Sequence, residues 1–246
     1  MSWWRKLTGS DKPPAPQRLP VIAEVTLPPV VPSTVYRDQV LRKQFTIDML
    51  RHEGIPTIDH LPVIESEVEV DLPTAQQVAQ RLAALTIVAV KGEGLDAESV
   101  DAIVDERGMR DWFSPRETAF LADRAPRDHD RIQFSWGYEA AWVLYWALNF
   151  IPGRLGMPRA TCDVPTLAAT VRDTPDLAMH GLHPVGHVLT EADLIYRCHW
   201  AVRDAQINGK PIPGGLEPGV VMERHRALNW LIWHREQPWD EVDTST

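Results

Sequence analysis

The stretch from Leu189 to Val242, LTEADLIYRCHWAVRDAQINGKPIPGGLEPGVVMERHRALNWLIWHREQPWDEV, decides the fold. Thr190 carries the hydroxyl wanted at a helix N-cap, and Asp193 stands three residues on, so the pattern predicts a helix from Thr190 to the Asn208-Gly209 stop. Along it Leu194, Ile195, Cys198, Ala201, Val202 and Ala205 recur at spacings of three and four and form one apolar face. The Pro- and Gly-rich turn from Lys210 to Glu217 leads to Pro218, a favourable first-turn residue, and to a second helix predicted to reach about Arg235. Its apolar stripe is Val220, Val221, Leu228, Leu231 and Ile232. Two amphipathic helices joined by a short polar turn make an αα-hairpin.

The other positions of the hairpin carry unusual side chains: Tyr196, Arg197, His199, Trp200, Arg203 and Asp204 on the first helix. On the second stand Glu223, Arg224, His225, Arg226, Asn229, Trp230 and Trp233. Trp200 and Arg203, Glu223 and Arg226, and Arg226 and Trp230 are each spaced to share a face, which suits ion pairs and cation–π stacks. Two readings stand: a structural network along the hairpin seam, or an Arg-lined pocket for an anionic or aromatic ligand.

Working outward, the sequence of 246 residues can bury a substantial core without cross-links, and its 24% charged and 44% hydrophobic residues are those of a globular protein. The formal charge of −9 argues against a nucleic-acid partner, because phosphate affinity comes from surplus Lys and Arg. Cys162 and Cys198 lack zinc-pair spacing and read as reduced thiols of a cytoplasmic protein. No segment has the length of a membrane span or the apolar core of a secretion signal. The Met1–Leu7 tail, with Trp3 and Trp4 beside Arg5 and Lys6, is too short for stable membrane association.

Residues 1–33 read as a proline-rich leader, within which Val21–Leu27 could pair as an edge strand or lie in a groove. Residues 34–246 read as one helical domain, mainly α, with at most one or two short strands near the N-terminus. Ser33 or Thr34 is expected to cap a helix from about Val35 to Glu53, with Val40, Leu41, Phe45, Met49 and Leu50 on its apolar side. Leu61 to Leu72 alternates acidic and apolar residues and fits an exposed strand or extended arm. Capping patterns at Thr74 with Gln77, at Asp96, and at Ser114-Pro115-Arg116-Glu117 predict three further helices. Ala125 to Asp130 reads as a charged loop, and Asp163 with Pro165 starts a short helix to about Arg172.

Phe134–Phe150, FSWGYEAAWVLYWALNF, is apolar nearly all round and reads as the central buried helix. Glu139 is its anomaly. Bare burial of a carboxylate costs several kcal/mol, so Glu139 needs a cation or a proton, and Arg203 or Arg224 of the hairpin is the expected partner. His180, His183 and His187 share a loop, but no fixed helical face orients them as ligands, so neither a metal nor another cofactor is expected. Pro238 precedes Trp239, which is expected to dock back on the body.

Several of these segments together resemble an uncharacterised bacterial family catalogued only as a domain of unknown function. The resemblance runs from about Val35 to Val242. It rests on Gly54-Ile55-Pro56, Leu61–Glu65, Ser114–Glu117, the Glu139–Leu148 stretch and above all His199–Ala205 (HWAVRDA) and Glu223–Leu231 (ERHRALNWL). That family implies no activity, cofactor or catalytic residue.

Three functions fit such a chain. One is an interaction protein, for instance a toxin-neutralising immunity protein whose acidic surface steers a basic partner. Another is a small-molecule binder or enzyme built on Glu139, Arg203, Glu223, Arg224 and Asn229. A third is an assembly protein docking through its leader.

Overall fold

The computed structural model describes residues 35–233 and 237–246. Among them are nine α-helices and no strand: α1 (Arg37–His52), α2 (Ala75–Gly92), α3 (Ala97–Glu106), α4 (Pro115–Ala122), α5 (Asp128–Ser135), α6 (Gly137–Ala147), α7 (Val164–Asp173), α8 (Val185–Ile207) and α9 (Pro218–Trp233). The mainly helical class follows directly. The leader, including Val21–Leu27, and the expected caps Ser33 and Thr34 lie outside the described residues, as does Arg235.

The caps set the helix starts as their chemistry requires. Thr74 and Gln77 form a reciprocal capping box at α2, Asp96 accepts from Ser99 at α3, and Ser114 and Glu117 box α4 behind Pro115. Lys91, near the C-terminus of α2 and 3% exposed, reaches the open end of α4. Its Nζ donates to the carbonyls of Phe120, Leu121 and Asp123 at 2.8, 2.6 and 2.7 Å, satisfying groups that a helix end leaves without partners.

The hub is α2, buried from Val78 to Gly92 except at Gln80, and packed against α3, α4, α5, α6 and α7. Phe134–Phe150, expected as the central buried helix, is not one helix: α6 within it is buried from Tyr138 to Leu148 except at Trp142 and packs on α2 and α9. A break at Trp136 separates α5 from α6, beside Ser135 and Gly137, residues that tolerate a kink. The Trp136 ring covers Gly219, where an added Cβ would lie 2.6 Å from ring carbons. Helix α6 stops at Ala147 because Asn149 takes a left-handed conformation at φ 61°. The expected loop at Ala125–Asp130 is shortened from its C-terminal side, since Asp128 and Asp130 occupy the favourable first turn of α5.

The hairpin of α8 and α9 forms, and both predicted apolar faces are buried. Its first helix starts at Val185, five residues before the expected cap. Thr190 lies inside it, donating its hydroxyl to the Gly186 carbonyl at 2.7 Å, while Val188 and Leu189 extend the buried face.

Helix α1 meets expectation at its C-terminal end, where Leu50 is buried and Met49 half-buried, but not along its first two turns. Val40, Leu41 and Phe45 are 53%, 58% and 51% exposed, whereas Gln39, Arg42 and Thr46 face inward beside Ile47 and Leu50. The inward polar groups have work there. The 61–72 segment is an arm without strand pairing, and Gln39 Nε2 and Arg42 Nη1 donate to its Ile64 and Glu65 carbonyls, each at 2.7 Å. Thr46 donates to Asp193 of α8, which grips Arg197 at 2.7 and 2.8 Å in a cluster about 1% exposed.

Candidate functional site

Helix α6 packs along α9 as the expected seam, and one ion pair crosses it. Glu139 and Arg224 are 2% and 4% exposed, and Arg224 Nε stands 3.8 Å from Glu139 Oε2. Glu139 Oε1 accepts the Cys162 amide at 2.6 Å, and Arg224 Nη1 donates to the Gly156 carbonyl at 3.1 Å. Burial raises the Glu139 pKa, the Cys162 amide and the Arg224 charge opposing it, while burial lowers that of Arg224. On both partners desolvation outweighs their attraction, so the fold holds this pair rather than the pair holding the fold. Neither residue lines any of the three clefts described among these residues.

The rest of the predicted set is divided. Arg203 is half-buried on α8 and makes no ion pair among the described residues, so Arg224 alone takes Glu139. Asp204 faces solvent at the end of α8, accepting from Asn208 at 2.8 Å and pairing with Lys210 at 3.3 Å. Asn229 Nδ2 donates to the Asp243 carbonyl at 2.7 Å. Trp200 is half-buried and does not stack on Arg203. Trp230 meets Trp239 edge-on at 5.9 Å. Glu223 pairs loosely with Arg226 at 3.9 Å, and Arg226 lies over Trp239, 4.5 Å from its centre, rather than over Trp230. A loop outcompeted the helix neighbour because Pro238 delivers a whole indole face to the guanidinium.

Trp239 is thus clasped, with Arg226 on one side and Arg81 of α2 4.9 Å from the ring centre. Arg81 in turn holds both oxygens of Glu117 at 2.5 Å, with both residues buried. The next residue, Asp240, accepts from Ser114 Oγ at 2.7 Å and from the Arg116 amide at 3.0 Å. Sequence reasoning missed Arg81 because an arginine inside an apolar helix pattern reads as its solvent side. Asp193 and Arg197, four apart, were a visible pair whose burial the spacing could not show.

At the hairpin's own seam His199 Nδ1 and His225 Nδ1 meet at 2.8 Å, both buried, so one ring must donate and the other accept. Burial, with the neighbouring His199, pushes the His225 pKa down to about 3, keeping it neutral. Burial also pushes the Cys198 thiol up to about 12, and Cys162 is raised by burial and the adjacent Glu139, so neither is an activated thiol. His183 stacks on Trp146 at 4.6 Å, and among the described residues no three His, Cys, Asp or Glu converge as metal ligands. No described helix is long and apolar enough to cross a membrane.

Among the described residues the outward side of α1 with its arm is an exposed apolar surface. There Val68 is 76% exposed between exposed Glu67 and Glu69, with Asp71 following, beside the bared Val40, Leu41 and Phe45.

These features define a mainly helical domain in which most of the buried polar side chains described bond to one another or to backbone. The chain belongs to the family described as Domain of unknown function (DUF4272), which matches residues 42–242. No curated protein and no solved structure matches it.

Proposed function

We propose that this is an interaction protein that docks a basic protein partner on α1 and the 61–72 arm. The observation that carries the reading is the outward apolar stretch of α1 at Val40, Leu41 and Phe45. Large apolar residues lie outward on α1 while its inward side is spent on polar anchoring, an arrangement that leaves hydrophobic area for another molecule to cover. The exposed acids at 67 and 69 and the net charge of −9 suit a basic surface, and would speed its approach. A toxin-neutralising, immunity-type role in the bacterial cytoplasm is the specific form we favour, supported by this acidity and by the burial of the Glu139–Arg224 pair.

The test is site-specific photo-crosslinking from positions 40 and 68 in the full-length chain. The reading expects capture of a basic protein that Leu41→Asp and Glu67→Lys both abolish, while Ile207→Asp, at a 73% exposed position on α8, leaves it intact. Crosslinks only to a second copy, only within the chain, or to partners indifferent to those substitutions overturn it.

A further inference from the structure

A second surface shares no residue with α1 or its arm. It is a cleft of 390 Å³ between α5, α9 and the 239–240 turn, within the range of small-molecule sites. Its wall is apolar, with Leu85, Val88 and Phe134; its floor includes Glu223; Arg116 and His129 stand at its exposed edge.

Glu223 distinguishes this cleft from an ordinary surface groove. Its side chain is only 10% exposed, yet among the described residues it accepts no hydrogen bond, its nearest cation being Arg226 at 3.9 Å. The other acids lining the cleft are all taken. Glu117 is held by Arg81, Asp130 by Arg127 at 2.8 Å, and Asp240 by Ser114 and the Arg116 amide. Arg226 is itself committed, donating Nη2 to the Trp239 carbonyl at 3.1 Å while stacked on that ring. The Glu223 oxygens are not among the fully enclosed atoms left without a partner, so what exposure they keep opens to the cleft, where a donor that enters can reach them. The guanidinium of Arg116 and the ring of His129, by contrast, are exposed and make no side-chain bond among the described residues, so the outer edge is set to receive an anion.

We propose that this cleft binds a small zwitterion, its cationic nitrogen seated on Glu223, its aliphatic part against Leu85, Val88 and Phe134, and its anionic group at Arg116 and His129. Cation inside and anion outside fixes the ligand's direction. Amino-acid-like molecules have that chemistry; dicarboxylates and simple amines have only half of it.

Calorimetry on the full-length chain tests this with arginine, lysine and γ-aminobutyrate, and with agmatine and glutarate as half-matched probes. At least one zwitterion is expected to bind below millimolar, agmatine about tenfold more weakly than arginine, and glutarate not at all. Glu223→Gln should weaken the zwitterion and agmatine tenfold or more. Arg116→Ala, at an exposed position whose side chain makes no bond among the described residues, should bring arginine down to the agmatine level and leave agmatine unchanged. Absence of zwitterion binding overturns the proposal. So does equal binding of glutarate, or affinity that survives both substitutions.

Discussion

Arg224 Nε faces Glu139 Oε2 across 3.8 Å, and neither atom has a hydrogen bond of its own. Two buried opposite charges therefore meet through Coulomb attraction alone, each otherwise tied to backbone by its second polar atom. Removing one charge should leave the other uncompensated. Glu139→Gln keeps an acceptor for the Cys162 amide, and is expected to cost about 3 kcal/mol. Replacing both, as Glu139→Gln with Arg224→Met, should cost less than the sum of the two single changes. Chemical denaturation of the three variants measures the cycle, and strict additivity would show that the pair does not interact.

The His199–His225 contact sets an acid limit on the hairpin. Unfolded, His225 takes a proton near its ordinary 6.5; in the fold it does so only near 3. Between those values the unfolded chain binds a proton that the native chain refuses. The contribution is therefore whole above pH 6.5 and is lost as pH falls toward 3, at up to about 1.4 kcal/mol per pH unit. Glu93, Glu139 and Glu223 act in the opposite direction, since burial raises their pKa values and favours protonation in the fold first. Comparison with His225→Asn isolates the histidine: the variant's stability should change less between pH 6.5 and 4 than the parent's.

Lys91 is expected to behave as a structural pin between α2 and α4. Lys91→Met keeps most of its volume but strips three carbonyl oxygens of their donor. A loss of about 3 kcal/mol follows, at the upper end of what an unsatisfied buried group costs. Hydrogen exchange should show the opening concentrated in α4, and a uniform loss of protection would argue against a local pin.

The orientation of α1 can be checked by two truncations on one helix. Phe45→Ala removes a ring that is half exposed and should change stability by at most about 1 kcal/mol, whereas Leu50→Ala at a fully buried position should cost about 2–5 kcal/mol. Equal losses would mean that Phe45 is covered.

The helix class, the hairpin and the caps at Thr74, Asp96, Ser114 and Asp163 were legible because each rests on local chemistry that neighbours in sequence supply. Helix α1 was not. Its apolar residues have helical spacing whichever way the helix is turned, and what turned it was a set of carbonyls on the 61–72 arm that needed Gln39 and Arg42. The site residues divide along the same line. Glu139 betrayed itself as a carboxylate in an apolar run, and its guanidinium was one of two candidates named from the hairpin. Arg203 and Arg224 could not be told apart, because α8 and α9 carry polar residues on several faces and the pattern does not say which face meets α6. Arg81 with Trp239, and Glu223 in its cleft, depend on segments more than a hundred residues apart, where periodicity has nothing to say.

The Trp239 clasp carries a consequence for how the chain is made. Arg81, Ser114 and Glu117 emerge during synthesis long before Trp239 and Asp240, and until those last residues leave the ribosome the Arg81–Glu117 pair has no indole lid. Closure must therefore wait for a segment more than a hundred residues downstream, with the slow kinetics that distant contacts impose. A nascent chain halted before residue 239 would display the Arg81–Glu117 pair without its indole cover.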